Sequence, residues 1–278
     1  MRIRFTKMHG CGNDFVVIDG ISQKIKLTPE KVRHLADRHF GIGCDQLLVV
    51  EPPTRDNMDF AYRIYNNDGN EVEHCGNGAR CFAKFVRDRK LTAKTTINVE
   101  TSNRVLQLLV QKDGRVTVDM GVPELNPAAV PFITANAHDD AVYSVAVGDT
   151  NIDLSVLSMG NPHAVLSVDN TEQAPVQSLG EQIQSLAQFP QGVNVGFMQV
   201  LSRSEINLRV LERGAGETLA CGTGACAAVV AGRLRNLLDE HVTVHLIGGT
   251  LTIQWAGKGH PVLKTGPATT VFNGQVRL

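Results

Sequence analysis

Two cysteines, Cys75 and Cys221, each open a run of small residues: Cys75-Gly76-Asn77-Gly78-Ala79-Arg80-Cys81 and Cys221-Gly222-Thr223-Gly224-Ala225-Cys226. Each run reads as the start of a helix, whose first backbone N–H groups have no partner within the helix and favour negative charge. A thiol there is biased toward thiolate. If two such cysteines face each other over one ligand, one can remove a proton from a carbon and the other can return a proton to the opposite face. Next to a carboxylate, this chemistry needs a base, an acid in line with it, and donors for the charge that develops on the carboxylate. A thiol with an ordinary pKa of about 8.5 needs only modest help to act as the base, while its partner stays protonated as the acid. The backbone N–H groups of Gly76, Asn77, Gly222 and Thr223 are the candidate receivers of the carboxylate.

The remaining cysteines invite plainer readings. Cys81 and Cys226 lie inside their helices among Ala, Phe and Val, where a thiol packs as a small apolar group. Cys11 and Cys44 lie beside glycines in loops, and their role is left open. Zinc binding by Cys75 with Cys81 and Cys221 with Cys226 is the competing chemistry. One member of each pair falls on the helical face, and no His-x-x-x-His partner accompanies them, so no metal is expected. Polar loop residues supply the other candidates: Asn13, Gln46, Asn66, Asn161, Asn194 and the adjacent Glu212-Arg213. Glu212 offers an acceptor for an ammonium and Arg213 a bidentate donor for a carboxylate, which together suit a zwitterionic amino-acid head. His163 is either a near-neutral neighbour that tunes a thiol or a structural histidine.

The elements that must position these residues come in two similar sets. Strands are expected at residues 2 to 8, 14 to 19, 46 to 50 and 60 to 65. Thr28-Pro29-Glu30 starts a helix that Gly41 ends, and the first cysteine helix runs to about Arg87. Strands follow at 96 to 100, 105 to 110 and 116 to 120, the last two joined by the turn Lys112-Asp113-Gly114. The order then repeats: strands at 142 to 147, 152 to 157 and 164 to 168, a helix with Val176, Leu179, Ile183 and Leu186 on one face, and strands at 193 to 200 and 206 to 211 before the second cysteine helix. Strands at 242 to 247, 251 to 255 and 271 to 278 complete the chain.

The repeat holds residue by residue. Cys75 and Cys221 are 146 positions apart, as are Arg63-Ile64-Tyr65-Asn66 and Arg209-Val210-Leu211-Glu212; Gly12-Asn13 and Gly160-Asn161 are 148 apart, and Gly43 and Gly192 are 149 apart. Two domains of one fold follow, with the chemistry in equivalent loops. The second cysteine helix is apolar on every side from Ala225 to Ala231, so it must be buried. The fold expected is α+β: two pseudo-repeated domains, each a curled, mainly antiparallel sheet wrapped around its cysteine helix.

The 278 residues carry 27 basic and 28 acidic side chains, a formal net charge of -1, which gives no bulk attraction to nucleic acid or an anionic membrane. A small ligand is the expected partner. The first seven residues alternate like a strand and lack the apolar core of a signal peptide, and no apolar run approaches a membrane span, so a cytoplasmic protein with reduced thiols is expected.

The motifs Met8-His9-Gly10, Gly12-Asn13-Asp14-Phe15, Asp45-Gln46, Asn66-x-Asp68-Gly69, Cys75 to Cys81, Gly160-Asn161-Pro162-His163, Glu212-Arg213-Gly214-x-Gly216-Glu217-Thr218 and Ala220-Cys221-Gly222-x-Gly224-Ala225 together resemble the bacterial diaminopimelate epimerase family over nearly the whole chain. The resemblance implies a cofactor-independent epimerase of LL- and meso-2,6-diaminopimelate, on the route to lysine and peptidoglycan, usually a homodimer. It implies Cys75 and Cys221 as base and acid, and carboxylate binding by Gly76-Asn77 and Gly222-Thr223. Asn13, Gln46, Asn66, Asn161, Asn194, Glu212 and Arg213 become substrate contacts, and His163 and Glu212 modulators of the thiols. It also implies that the last residues return to the first domain, giving domains 1–119 plus 267–278 and 120–266. Cys11 and Cys44 depart from the family's usual apolar residues. A cysteine-pair racemase of another amino acid such as proline, and a zinc or thiol-redox binding protein without turnover, are the alternatives.

Overall fold

The computed structural model describes residues 2–72, 76–102, 105–138 and 141–278 and divides into two compact units, Met1–Asp119 with Thr265–Leu278, and Met120–Lys264. The first contains β1 (Arg2–Gly10), β2 (Asn13–Asp19), α1 (Pro29–Ala36), β3 (Gln46–Glu51), β4 (Phe60–Asn66), β5 (Glu71–Val72), α2 (Gly76–Asp88), β6 (Thr96–Glu100), β7 (Val105–Val110) and β8 (Val116–Asp119). The second contains β9 (Val142–Val147), β10 (Thr150–Ser158), β11 (Pro162–Ser167), α3 (Val176–Gln184), β12 (Asn194–Ser202), β13 (Glu205–Glu212), β14 (Gly216–Glu217), α4 (Gly222–Leu234), β15 (His241–Leu246) and β16 (Gly249–Trp255). After β17 (Val262–Gly266) the chain ends in β18 (Thr269–Arg277), which pairs antiparallel with β1 along nearly its whole length.

The same pairing logic runs through both units. In the first, β2 is parallel to β3 with Phe15 opposite Gln46, and β3 is antiparallel to β4 with Gln46 opposite Asn66. In the second, β11 is parallel to β12 with His163 opposite Asn194, and β12 is antiparallel to β13 with Val195 opposite Leu211. Parallel neighbours cannot be joined by a tight turn, and α1 and α3 are the crossovers that join them. A detail of the repeat that the sequence holds in plain view is a bidentate ion pair. Arg63 grips Glu71 at 2.9 and 2.5 Å, and Arg209 grips Glu217 at 2.5 and 2.8 Å, each arginine clamping a two-residue strand onto its neighbour. Strands as short as β5 and β14 leave no period to read.

Helix α1 begins where its cap requires: the Thr28 hydroxyl accepts the Lys31 N–H and Pro29 occupies the first turn. It ends at Ala36, five residues before Gly41. The Asp37 carboxylate accepts the N–H groups of His39 and Phe40, both at 2.7 Å, and this local bonding replaces further helix. Val32, Leu35 and Ala36 bury one face against a cluster that includes Phe5, Val16, Ile18, Leu47 and Val49. Both cysteine helices are central. In α2, Ala79, Cys81, Phe82, Phe85 and Val86 are buried, and the helix packs on β1, β2, β3, β7 and β8. In α4 every residue from Ala225 to Ala231 is fully buried among β10, β11, β12, β13 and β16. Among the described residues, no helix is long and apolar enough to cross a membrane.

Candidate active site

Cys221 is the N-cap of α4, in extended backbone conformation, and its sulfur accepts the N–H of Gly224 at 3.4 Å. That helix turn is close: a Cβ on residue 224 would lie 3.0 Å from a Val210 methyl and 3.1 Å from the Cys221 sulfur, so a larger residue would push on the thiol. The Thr223 hydroxyl stands 3.6 Å from the same sulfur and receives the Asn161 side-chain N–H at 3.3 Å. The Asn161 carbonyl in turn is 3.1 Å from His163 Nε2. Burial pushes the Cys221 thiol well above its ordinary pKa. The nearby Glu212 carboxylate adds to the rise, and the Thr223 and Gly224 donors only partly oppose it. Cys221 is therefore protonated at neutral pH in this state. Glu212 is held by the Thr218 hydroxyl at 2.5 Å, Asn194 accepts the Arg213 N–H at 2.8 Å, and the Arg213 guanidinium donates to the Gln191 carbonyl at 2.6 Å. Gly192 has a positive φ of 70°, and a Cβ there would lie 2.8 Å from Arg213 Cδ, so the glycine makes room for the arginine.

His163 is completely enclosed, and that burial, seconded by the charge of Arg213, lowers its pKa from 6.5 to about 3. It brings Asn161 a hydrogen bond and no charge. Because the unfolded chain protonates near 6.5 and the folded one only near 3, the unfolded state binds more protons between those values. The stabilisation is complete above pH 6.5 and is lost as pH falls toward 3, at about 1.4 kcal/mol per pH unit. Urea unfolding at pH 7 and pH 5 should show His163→Gln losing less stability on acidification than the wild type; equal losses would contradict the buried neutral imidazole.

In the first unit, Asn13 and Asn77 meet. The Asn77 side-chain N–H donates to the Asn13 carbonyl at 3.2 Å, and the Asn13 side-chain N–H donates to Asp45 at 2.9 Å. Gln46 and Asn66, opposite each other on β3 and β4, are joined at 2.8 Å, and the Gln46 Oε1 is buried with no hydrogen-bond partner among the described residues. Gly76 and Asn77 are the first residues of α2. Cys75 lies outside the described residues. The contact of Asn13 with Asn77 has its repeat equivalent in that of Asn161 with Thr223.

Several residues around these positions escape a reading of sequence. Asp14 and Asp45 brace the Asn13 turn: Arg38 bridges both carboxylates, and Lys7 reaches Asp14 at 2.6 Å and the Gly43 carbonyl. Burial works against ionised Asp14, but the Arg38 and Lys7 bonds outweigh it and hold its carboxyl far below the usual range. Arg80, a cation on an otherwise apolar helical face three residues from Asn77, was the available signal, since residues three apart share a face. Cys44 is packed under α1, and burial pushes its thiol up to about 12, which leaves it inert. No group of three or more His, Cys, Asp or Glu side chains that could hold a metal ion occurs among the described residues.

The fold is one seen in solved structures of low sequence identity, among them a hydroxyproline epimerase and a PhzF-family protein. The chain aligns over 99% of its length with 92% of a hydroxyproline epimerase from Agrobacterium vitis, with a TM-score of 0.70 at 17% identity, and over all of both chains with a Bacillus anthracis phenazine biosynthesis protein of the PhzF family, with a TM-score of 0.73 at 16% identity. Sequence is more specific. The diaminopimelate epimerase family profile matches residues 5–126 and 155–271, and the diaminopimelate epimerases of Teredinibacter turnerae and Cupriavidus metallidurans are 62% and 58% identical to it over the whole of this chain and 100% and 98% of their own lengths. The chain belongs to the diaminopimelate epimerase family.

Proposed function

We propose that this chain interconverts LL- and meso-2,6-diaminopimelate, serving lysine and peptidoglycan precursor synthesis, and the observation that carries the reading is end-to-end identity of 62% with a diaminopimelate epimerase. A thiolate takes the proton from one alpha carbon, the electron pair spreads into the adjoining carboxylate, and the second thiol delivers a proton to the opposite face. Cys75 and Cys221 fill these roles and exchange them with reaction direction. The protonated, buried state of Cys221 suits the acid member of the pair. The N–H groups of Gly76-Asn77 and Gly222-Thr223 take up the carboxylate charge. Asn13, Gln46, Asn66, Asn161, Asn194, Glu212 and Arg213 hold the rest of the substrate, and the unmatched Gln46 Oε1 suits an ammonium N–H. His163 acts on Cys221 through Asn161 and Thr223, and Glu212 acts through its charge.

The enzyme works without cofactor, in the cytoplasm, as a homodimer. The likeness to hydroxyproline epimerase and its kin concerns fold and does not favour proline as substrate. The test is incubation of the reduced protein with LL-diaminopimelate in deuterated water: meso product should appear with deuterium at one alpha carbon and no added cofactor. Absence of exchange, or faster turnover of proline in a parallel panel, overturns the assignment.

A further inference from the structure

In the second unit, Asn194 and Glu212 sit on neighbouring strands at the point where the backbone ladder stops. The pairing of β12 with β13 starts at Val195 opposite Leu211, one step short of Asn194 and Glu212. The equivalent strands of the first unit pair one step further, through Gln46 opposite Asn66. Beyond Leu211 the second unit is joined by a side chain, with the buried Asn194 oxygen accepting the Arg213 N–H at 2.8 Å. Helix α3 adds a second fastening from outside the strand pair. The Gln184 side-chain nitrogen donates to the Val193 carbonyl at 3.0 Å and to the Leu211 carbonyl at 3.2 Å, which belong to the residues directly before Asn194 and Glu212. Both partners can only accept, and the amide nitrogen has two hydrogens to give, so the orientation of this amide is fixed by its chemistry.

We propose that Gln184 is a positioning residue: by tying the Val193 carbonyl to that of Leu211 it sets the separation of Asn194 from Glu212 and Arg213, and with it the fit of the second unit to an amino-acid head. Gly180, one turn earlier on the same helical face, brings α3 close enough for this reach. A Cβ on residue 180 would lie 2.6 Å from Leu211 Cδ2 and 3.2 Å from Leu211 Cβ. Glycine inside a helix is less favourable than alanine, and the close approach to β13 is what it makes possible here. The first unit needs no such fastening. Its helix α1 ends in the apolar Leu35 and Ala36, and its ladder runs through the equivalent pair of residues.

The proposal rests on the reading that Asn194, Glu212 and Arg213 bind substrate, and the experiment separates the two. Gln184→Met keeps the length of the side chain without its donors, while Gln184→Glu keeps its shape and sets a carboxylate against two carbonyl oxygens. Gln184 is half-buried at the last position of α3, so both variants should fold. In the full protein, Gln184→Met should raise the KM for LL-diaminopimelate about 5- to 50-fold, within the range of two neutral hydrogen bonds, with a smaller change in kcat. Gln184→Glu should raise it further, whereas a side chain that only fills space would tolerate both changes. Hydrogen exchange without substrate supplies a readout independent of activity. The Arg213 amide, bonded to Asn194 at the end of the ladder, should exchange about tenfold faster or more in both variants, while amides around Met198 and Leu208 keep their protection. Unchanged exchange at Arg213 overturns the positioning role whatever the substrate proves to be, and so does a loss of protection spread evenly along the ladder. Faster exchange at Arg213 with unchanged KM overturns its part in binding. A wild type without epimerase activity defeats only the functional reading, and the exchange of Arg213 then decides the positioning role.

Discussion

Cys221→Ala is expected to lose about 10³- to 10⁴-fold in epimerisation, at the upper end of what a positioned acid or base contributes, because the sulfur that carries the proton is removed. The Thr223 hydroxyl and the Gly224 N–H that touch the sulfur cannot move a proton at neutral pH, and the Glu212 carboxylate beside it is engaged by the Thr218 hydroxyl. What distinguishes a paired mechanism is the behaviour that survives. With Cys75 intact, proton exchange into solvent should persist at the alpha carbon of one diastereomer and vanish from the other, because the remaining thiol reaches a single face. Cys75→Ala should show the mirror pattern. Loss of the sulfur as N-cap acceptor costs about 1 kcal/mol, so the variant should remain folded and its thermal transition near that of the wild type. Epimerisation within tenfold of the wild type, or exchange from both diastereomers, would reject the assignment of acid and base to two cysteines. Deuterium incorporation followed by mass spectrometry and chiral separation reads both quantities in one sample.

Much of this arrangement is legible in the chain before any coordinates, and the reasons are specific. Helix α4 announces its burial because seven consecutive apolar residues leave no side for water. The pairing of Asn13 with Asn161 and of Asn66 with Glu212 follows from the constant spacing of the two halves, and the structure places Gln46 against Asn66 through the same strand register that sets Asn194 beside the end of β13. What escapes is whatever depends on enclosure or on the reach of long side chains. His163 is one residue in an ordinary strand pattern, and nothing in its neighbours along the chain says that it is sealed from water and therefore neutral. Lys7, Arg38 and Asp45 meet at the Asn13 turn from three separate segments, and Arg80 finds the Pro267 carbonyl 187 positions away. The pairing of β18 with β1 is of the same kind, since strand register between distant segments leaves no local trace.

Glu212→Gln is expected to move the Cys221 thiol and the turnover in opposite senses. In the wild type the thiol is raised first by burial and then by the Glu212 carboxylate, both of which disfavour the thiolate. Burial is untouched by the substitution, and the Thr223 and Gly224 donors that favour the thiolate remain. Removing the negative charge must therefore lower the thiol pKa. Two unit charges about 4 Å apart interact by about 4 kcal/mol at an effective dielectric constant of ~20. Glu212 is partly exposed, so screening reduces this, and a rise of about 10- to 100-fold in the thiolate-to-thiol ratio is the expected result. The ultraviolet thiolate absorbance of Glu212→Gln, minus that of the Glu212→Gln, Cys221→Ala double variant, isolates this one thiol among the six cysteines. Epimerisation should meanwhile fall about 10- to 150-fold, because the neutral amide in place of Glu212 no longer offers an ammonium a charged acceptor. A thiol held well above its ordinary pKa mainly by burial stays protonated at neutral pH after a rise of about 10- to 100-fold in that ratio, so the loss should appear as a raised KM at every pH and not as a kcat that recovers on acidification. A thiolate absorbance unchanged by the substitution would show that burial alone sets the state of Cys221 and that Glu212 acts on substrate only.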